Sequence, residues 1–338
     1  MSILPVIWFF LIGILLTVYA ILDGFDLGVG FWYLFAKKEE NRRTFLNAIG
    51  PIWDGNEVWL LTGGGALFAA FPIVYATVFS GFYLALMLVL WALIFRAVAI
   101  EFRSKSQSAI WRKTWDAAFA IGSIVPGLLF GVAIGNILRG LPLDANGDYA
   151  GTFFDLLNPY ALLIGLLGLS MFAVHGAQFI ILKTQGDLAE KARKWAKNAW
   201  VIYVGLFCLA SIATVILEHH LFVNFILFPF LLIVPILSAA SMALIFYFNK
   251  KGFAKAAFAA SSSSIAGLMA LTGTGIFPNL VPALDSAGAG LNVFNASSSP
   301  KTLGIMLVIA CIGMPFVIAY TIWIYRIFRG KVTAQGWY

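Results

Sequence analysis

Residues 73–95 and 303–325 of this chain run for 23 positions each without a charged side chain. A helix needs about twenty apolar residues to cross a hydrocarbon core about 30 Å thick. Each stretch is therefore long enough for one crossing, and both are too long for an ordinary buried strand. Within lipid, only helices and closed barrels satisfy every backbone group. A barrel would alternate apolar and polar residues over strands of about ten. No such alternation is present, so the fold class is all-α, a polytopic helical membrane protein. Composition agrees: 61% of the 338 residues are hydrophobic and 11% are charged, where a soluble domain carries about 25% charge.

The formal net charge of +7 does not point to nucleic acid. The basic residues lie in short loops between apolar runs, with no patch interleaved with aromatics of the kind that strand-binding proteins need. The partner that composition implies is the lipid bilayer. Cys208 and Cys311 both fall inside apolar runs, which leaves no disulfide framework and no thiolate metal site. The N-terminus lacks the basic region and small-residue cleavage site of a signal peptide, so the first helix is expected to be retained.

The apolar runs divide into about nine expected spans: 4–35, 51–71, 74–98, 116–138, 158–182, 199–217, 224–248, 256–279 and 303–325. Pro72 separates the second from the third. The first would measure about 48 Å at 1.5 Å per residue, so it must project from the membrane or weaken at Gly24, Gly28 and Gly30. No soluble domain and no internal repeat stand out. Residues 1–338 read as one transmembrane bundle, with candidate halves at 1–138 and 158–325.

Alternate loops differ sharply in basic charge. One set holds Lys37, Lys38, Arg42, Arg43, Arg103, Lys105, Arg112, Lys113, Lys183, Lys191, Arg193, Lys194, Lys197, Lys250, Lys251, Lys255, Arg326, Arg329 and Lys331. The other holds Arg139 and Lys301. Because short basic loops stay in the cytoplasm, the C-terminus is expected inside and the N-terminus outside. The outer loops 139–157 and 280–302 are long enough for small surface caps.

Ionisable residues inside spans are costly and mark candidate function. Asp23 and Asp26 are three apart and share a helix face; two carboxylates that close do not both ionise readily in a poor dielectric. They read as a proton relay or, equally, as hydrated groups where the helix loosens near the inner surface. Asp54 and Glu57 repeat the spacing. Pro51 suits a helix start, so Asp54 reads as an anion at a helix N-terminus or, with Glu57, as a proton entry. Arg96 either snorkels to the inner surface or pairs with Asp54 or Asp26, and Asp116 stands near the start of a span. His175 is the one histidine inside a span. A haem needs an axial ligand, but a lone histidine more often serves as a hydrogen-bonded core residue. His219 and His220 fall in an outer turn beside Glu218. Gly127, Gly131 and Gly135 recur every fourth residue and suit close helix packing. Gly63-Gly64-Gly65 lacks the Lys-Ser or Lys-Thr of a phosphate loop.

The stretch Leu22-Asp23-Gly24-Phe25-Asp26-Leu27-Gly28-Val29-Gly30 resembles a signature of subunit II of the cytochrome bd-type quinol oxidases. So do Trp53-Asp54-Gly55-Asn56-Glu57-Val58-Trp59, Gly64-Gly65-Ala66-Leu67-Phe68-Ala69-Ala70-Phe71-Pro72, Ser80-Gly81-Phe82-Tyr83, Phe95-Arg96 and Glu101-Phe102-Arg103-Ser104-Lys105. The likeness is most specific over the first 140 residues. It implies a haem-free subunit in a bacterial cell membrane, packed against a subunit I that carries two b-type haems and one d-type haem. The family's complex oxidises quinol, reduces dioxygen to water and takes protons from the cytoplasm. By motif, Asp54 and Asp23 or Asp26 match the expected proton path. Glu57 stands where some members have Gln, and Arg96 and Glu101 match positions that support the haem region. The family leaves room for a structural quinone or lipid in this subunit and for a small single-helix third subunit. The competing class is a proton-coupled secondary transporter, which would use the same acids but needs broken helices in two matching halves.

If the basic loops set the orientation, reporters fused after Lys194 and Lys251 will read as cytoplasmic and one after Ala145 as outside. A reversed signal at any two of the three would refute the nine-span topology.

Overall fold

The computed structural model describes residues 2–284, 288 and 290–335. Part of the expected outer loop 280–302 and the last three residues lie outside that set. The helices in chain order are α1 (Leu4–Tyr33), α2 (Glu39–Ile49), α3 (Trp53–Ala70), α4 (Pro72–Gly81), α5 (Tyr83–Phe102) and α6 (Ala109–Arg139). They continue with α7 (Pro159–Lys183), α8 (Gly186–Leu217), the short α9 (Val223–Leu227), α10 (Ile233–Lys251), α11 (Ala254–Ile276) and α12 (Pro300–Ile327). One antiparallel pair, β1 (Asn279–Val281) with β2 (Leu291–Asn292), precedes α12.

Among the described residues, eight helical segments are long and apolar enough to cross a membrane. Eight of the nine expected spans correspond to them. The remaining one, expected at 51–71, is α3. Its 18 residues cover about 27 Å, but Asp54, Asn56 and Glu57 make it too polar to qualify by composition. It packs along α1. The third expected span is two helices, α4 and α5, with a kink at Phe82 (φ −94°, ψ 15°). Pro72 opens α4 as its first residue.

α1 is unbroken through Gly24, Gly28 and Gly30, so these glycines do not loosen the helix. They allow contact instead. A Cβ on Gly28 would lie 2.0 Å from the Phe172 carbonyl oxygen and 2.8 Å from Gly176 Cα, and one on Gly30 would lie 2.0 Å from Ser123 Oγ. α1 is thereby pressed against α7 and α6. Gly131 does the same between α6 and α7, where an added Cβ would meet Gly165 Cα and the Ile164 carbonyl at 2.8 Å each. Its neighbour is thus a helix of this chain.

The basic loops gather at one end. There the tail returns across α7, with Val332 N–H donating to Lys183 O at 2.8 Å, and Asn47 Nδ2 donates to Thr333 O at 3.0 Å. At the other end the two long loops pair, Leu141 with Pro282 and Leu284, and Thr77 of α4 donates to Gly147 O at 2.9 Å.

Close approach of backbones makes a clear prediction. Gly28→Ala will cut the yield of folded protein severely, because the new methyl meets backbone on α7. Gly127→Ala will be tolerated, since its Cβ would meet only side chains, at 3.3 Å or more. Equal yields of the two variants would contradict the packing of α1 on α7.

Candidate functional site

The polar residues of α1, α3 and α5 meet near the basic end. Asp23 and Asp26 lie one turn apart on α1, and both are fully buried, as is Arg96 of α5. Arg96 can reach them because Gly122 lets α5 and α6 touch: a Cβ there would sit 2.5 Å from the Ala92 carbonyl oxygen and 2.8 Å from Arg96 N.

The Arg96 guanidinium grips Asp23 with both terminal nitrogens, Nη1 to Oδ2 at 3.1 Å and Nη2 to Oδ1. Nη2 also donates to Glu57 Oε1 at 2.9 Å. Tyr19, one turn before Asp23, donates its hydroxyl to Asp23 Oδ2 at 2.8 Å. Asp26 Oδ2 accepts from Asn56 Nδ2 at 2.8 Å, and that amide also donates to Leu22 O at 3.2 Å. On its other side, Asn56 Oδ1 accepts from the Tyr325 hydroxyl at 2.8 Å. Asp26 Oδ1 and Arg96 Nε, both buried, have no hydrogen-bond partner among the described residues. One guanidinium thus sits among three carboxylates.

Several expectations change here. Arg96 does not snorkel, and its partners are Asp23 and Glu57 rather than Asp54 or Asp26. Burial between three helices leaves it no route to the surface. Asp23 and Asp26 are not hydrated at a loosened turn. Asp54 lies apart, exposed on the first turn of α3, and Glu101 is exposed at the end of α5. Asn56, Tyr19 and Tyr325 were not singled out by the sequence reading. Tyr19 had a signal, because it stands four before Asp23 and so shares its face. Tyr325, 269 residues from Asn56, had none.

His175 is a core residue. Its Nδ1 lies 2.7 Å from Ser261 Oγ and its Nε2 lies 3.0 Å from Ile21 O, while Phe258 stacks on the ring at 4.7 Å. With both nitrogens engaged, the imidazole has no lone pair directed at a haem iron.

A second ionic cluster closes the basic end. Arg103, 1% exposed, donates Nε to Asp116 Oδ1 at 2.5 Å and both terminal nitrogens to Glu39 at 2.9 and 2.7 Å. Arg42 Nη1 donates to Asp116 Oδ2 at 2.6 Å, and the Tyr33 hydroxyl to Oδ1 at 2.5 Å. This ties α2 to α1, α5 and α6. The two-pronged bond from Arg103 holds the Glu39 carboxyl below its usual range, against the opposing effect of partial burial.

The fold and this charged centre define a polytopic helical membrane protein built around a buried ion cluster. The model of the family "Cytochrome bd terminal oxidase subunit II" matches residues 4–328, and the chain belongs to that family. It is 38% identical to the "Probable cytochrome oxidase subunit 2" of Haemophilus influenzae over 97% of this chain and 95% of that one. It is 36% identical to the "Cytochrome bd-I ubiquinol oxidase subunit 2" of Escherichia coli K12, over 99% and 96%. With the "Cytochrome bd ubiquinol oxidase subunit 2" of Bacillus subtilis the identity is 37%, over 97% and 96%. Its fold matches a chain of the bd oxidase from Geobacillus thermodenitrificans with a TM-score of 0.79 at 16% identity, covering 97% of this chain and 99% of that one. It is a multi-pass protein of the bacterial cell membrane.

Two outcomes follow. Removing Arg96 strands a buried carboxylate, so Arg96→Leu should destabilise the protein by about 3–5 kcal/mol, and adding Asp23→Leu should restore much of that loss. A double variant as unstable as the single one would contradict the pairing. For Glu39, the lowered carboxyl means stability that is present above the usual value of about 4.3 and lost as pH falls through the lower folded value. Glu39 is 44% exposed, so the effect should stay below about 1 kcal/mol. Melting curves of Glu39→Gln should accordingly lose part of the wild-type pH dependence below about pH 4.

Proposed function

We propose that this chain is the haem-free half of a quinol:dioxygen oxidoreductase and that its buried acids deliver protons to the oxygen-reducing site of the partner. The partner, subunit I, would carry two b-type haems and one d-type haem and would oxidise quinol. A structural quinone or lipid in this subunit and a small single-helix third subunit fit the same assembly.

The observation that carries the proton role is the ratio of charges. Arg96 balances one carboxylate, Asp23, leaving Glu57 and Asp26 beside it in a membrane-spanning bundle, with no second cation paired to the cluster among the described residues. Carboxylates in that position are neutral only by holding protons. They also span a gradient of access. Asp54 is exposed, the Glu57 side chain is 24% exposed, and Asp26 is fully buried. Protons would enter from the cytoplasm at Asp54, pass Glu57, one helical turn further on, and reach the Asp23–Arg96–Asp26 centre. Dioxygen reduction consumes protons within the membrane, and taking them from the cytoplasm makes the reaction generate a proton-motive force.

The transporter reading needs a broken helix at the binding site. The segment that suggested one, Gly24–Gly30, lies inside an unbroken α1.

Asp26→Asn and Asp54→Asn keep shape and most hydrogen bonds while removing the titrating group. Oxygen consumption per d-type haem should fall by about a hundredfold or more in each, the share that a single proton-transfer group typically contributes, with quinol affinity near normal. Asp54→Glu should keep part of the rate. Full turnover per haem in both Asn variants would remove these acids from the pathway, and a parallel loss of haem would make them structural.

A further inference from the structure

α12 is the least embedded long helix of the bundle. Among its residues only Leu303 is buried. Along α1 and α3 it leaves an apolar crevice of about 770 Å³, lined by residues such as Leu15, Trp59, Ala310 and Met314. Apolar packing alone does little to fix its position. Yet Tyr325 in its last turn reaches Asn56, a side chain that is 1% exposed. Among the described residues, no other α12 side chain hydrogen-bonds to another helix.

The chemistry around Asn56 allows one arrangement. The Leu22 carbonyl and the Asp26 carboxylate oxygen accept, so the amide NH2 must face them at 3.2 and 2.8 Å. That turns Oδ1 toward Tyr325, whose hydroxyl must then donate. Tyr325 and Asp26 are thus joined through a single amide whose two ends are both used. A donor on the amide oxygen polarises the N–H groups and strengthens their bond to the carboxylate.

The tail beyond α12 holds Tyr325 in place. Lys331 Nζ donates to Ile181 O and Thr184 O at 3.1 and 2.7 Å, meeting carbonyls at the end of α7, and Lys183 Nζ donates in return to Phe328 O at 2.5 Å. These reciprocal lysine caps fasten the end of α12 to α7, independently of the crevice.

We infer that Tyr325 is a positioning residue for the Asp26 carboxylate, acting through Asn56, and that it ties the terminal helix to the acid cluster. The inference rests on the proton-delivery reading for its effect on turnover but not for its structural content, and the test separates the two.

In the purified oxidase complex, Tyr325→Phe keeps the ring and removes only the hydroxyl. Turnover per haem should fall about three- to tenfold, the ratio that one ordinary hydrogen bond represents, with KM for quinol and haem content unchanged. Asn56→Ala should lose at least as much, and Tyr325→Phe added to Asn56→Ala should lose nothing further. Losses that multiply, or wild-type turnover in Tyr325→Phe where Asp26→Asn does slow the enzyme, would overturn the inference. The second readout is the infrared carboxyl band that Asp26→Asn abolishes. It should shift in Tyr325→Phe whether or not Asp26 limits turnover, and an unshifted band would also overturn the inference. Full turnover in Asp26→Asn together with a shifted band would overturn the proton reading alone and leave Tyr325 as a positioning residue.

Discussion

A guanidinium held between helices in lipid has few acceptable environments, and the pairing of Arg96 with Asp23 is the constraint around which this bundle is arranged. An unpaired charge at that depth is severely penalised. The two-pronged grip on Asp23, which also accepts from Tyr19, and the bond to Glu57 meet most of its demand. Meeting it requires α1 and α5 to approach through the same volume, which in turn requires the small residues around them. Gly122 admits α5 against α6; Gly28 and Gly176 admit α1 against α7. The charge pair and the glycine contacts are two parts of one solution. A side chain at Gly122 would push away the helix that carries Arg96.

The helices were largely legible in the sequence, because crossing lipid demands long apolar runs and sharp ends. The departures have physical causes. α3 is more polar than the eight apolar spans because its first turns supply Asn56 and Glu57 to the cluster. The kink at Phe82 leaves no mark in an apolar run, since hydrophobicity is the same on both sides of it. The glycines of α1 looked like weak points along one helix. Their role depends on α7 and α6, which a single helical pattern does not reveal.

The site was legible in part. Asp23, Asp26, Glu57 and Arg96 stood out because ionisable residues in an apolar run have few innocent explanations. Which acid would take the arginine was not readable, because helix rotation decides it and apolar periodicity is weak when both lipid and protein faces are hydrophobic. Asn56 and Tyr325 are neutral and common, and their connection closes only when the two ends of the chain meet. The rim cluster of Glu39, Arg103 and Asp116 was hidden for a similar reason: charged residues near a membrane surface are ordinarily solvated, and only the fold shows that Arg103 is buried.

The proposal joins the subunit II family assignment to the cluster: the carboxylates that Arg96 leaves unbalanced would take up protons from the side that carries the basic loops. The most direct test is oxygen consumption by the complex reconstituted in vesicles in one orientation, with pH varied only on that side. The account predicts that wild-type turnover follows the pH of that compartment and that Asp26→Asn flattens the dependence. Turnover indifferent to that compartment, or an undiminished dependence in Asp26→Asn, would contradict it.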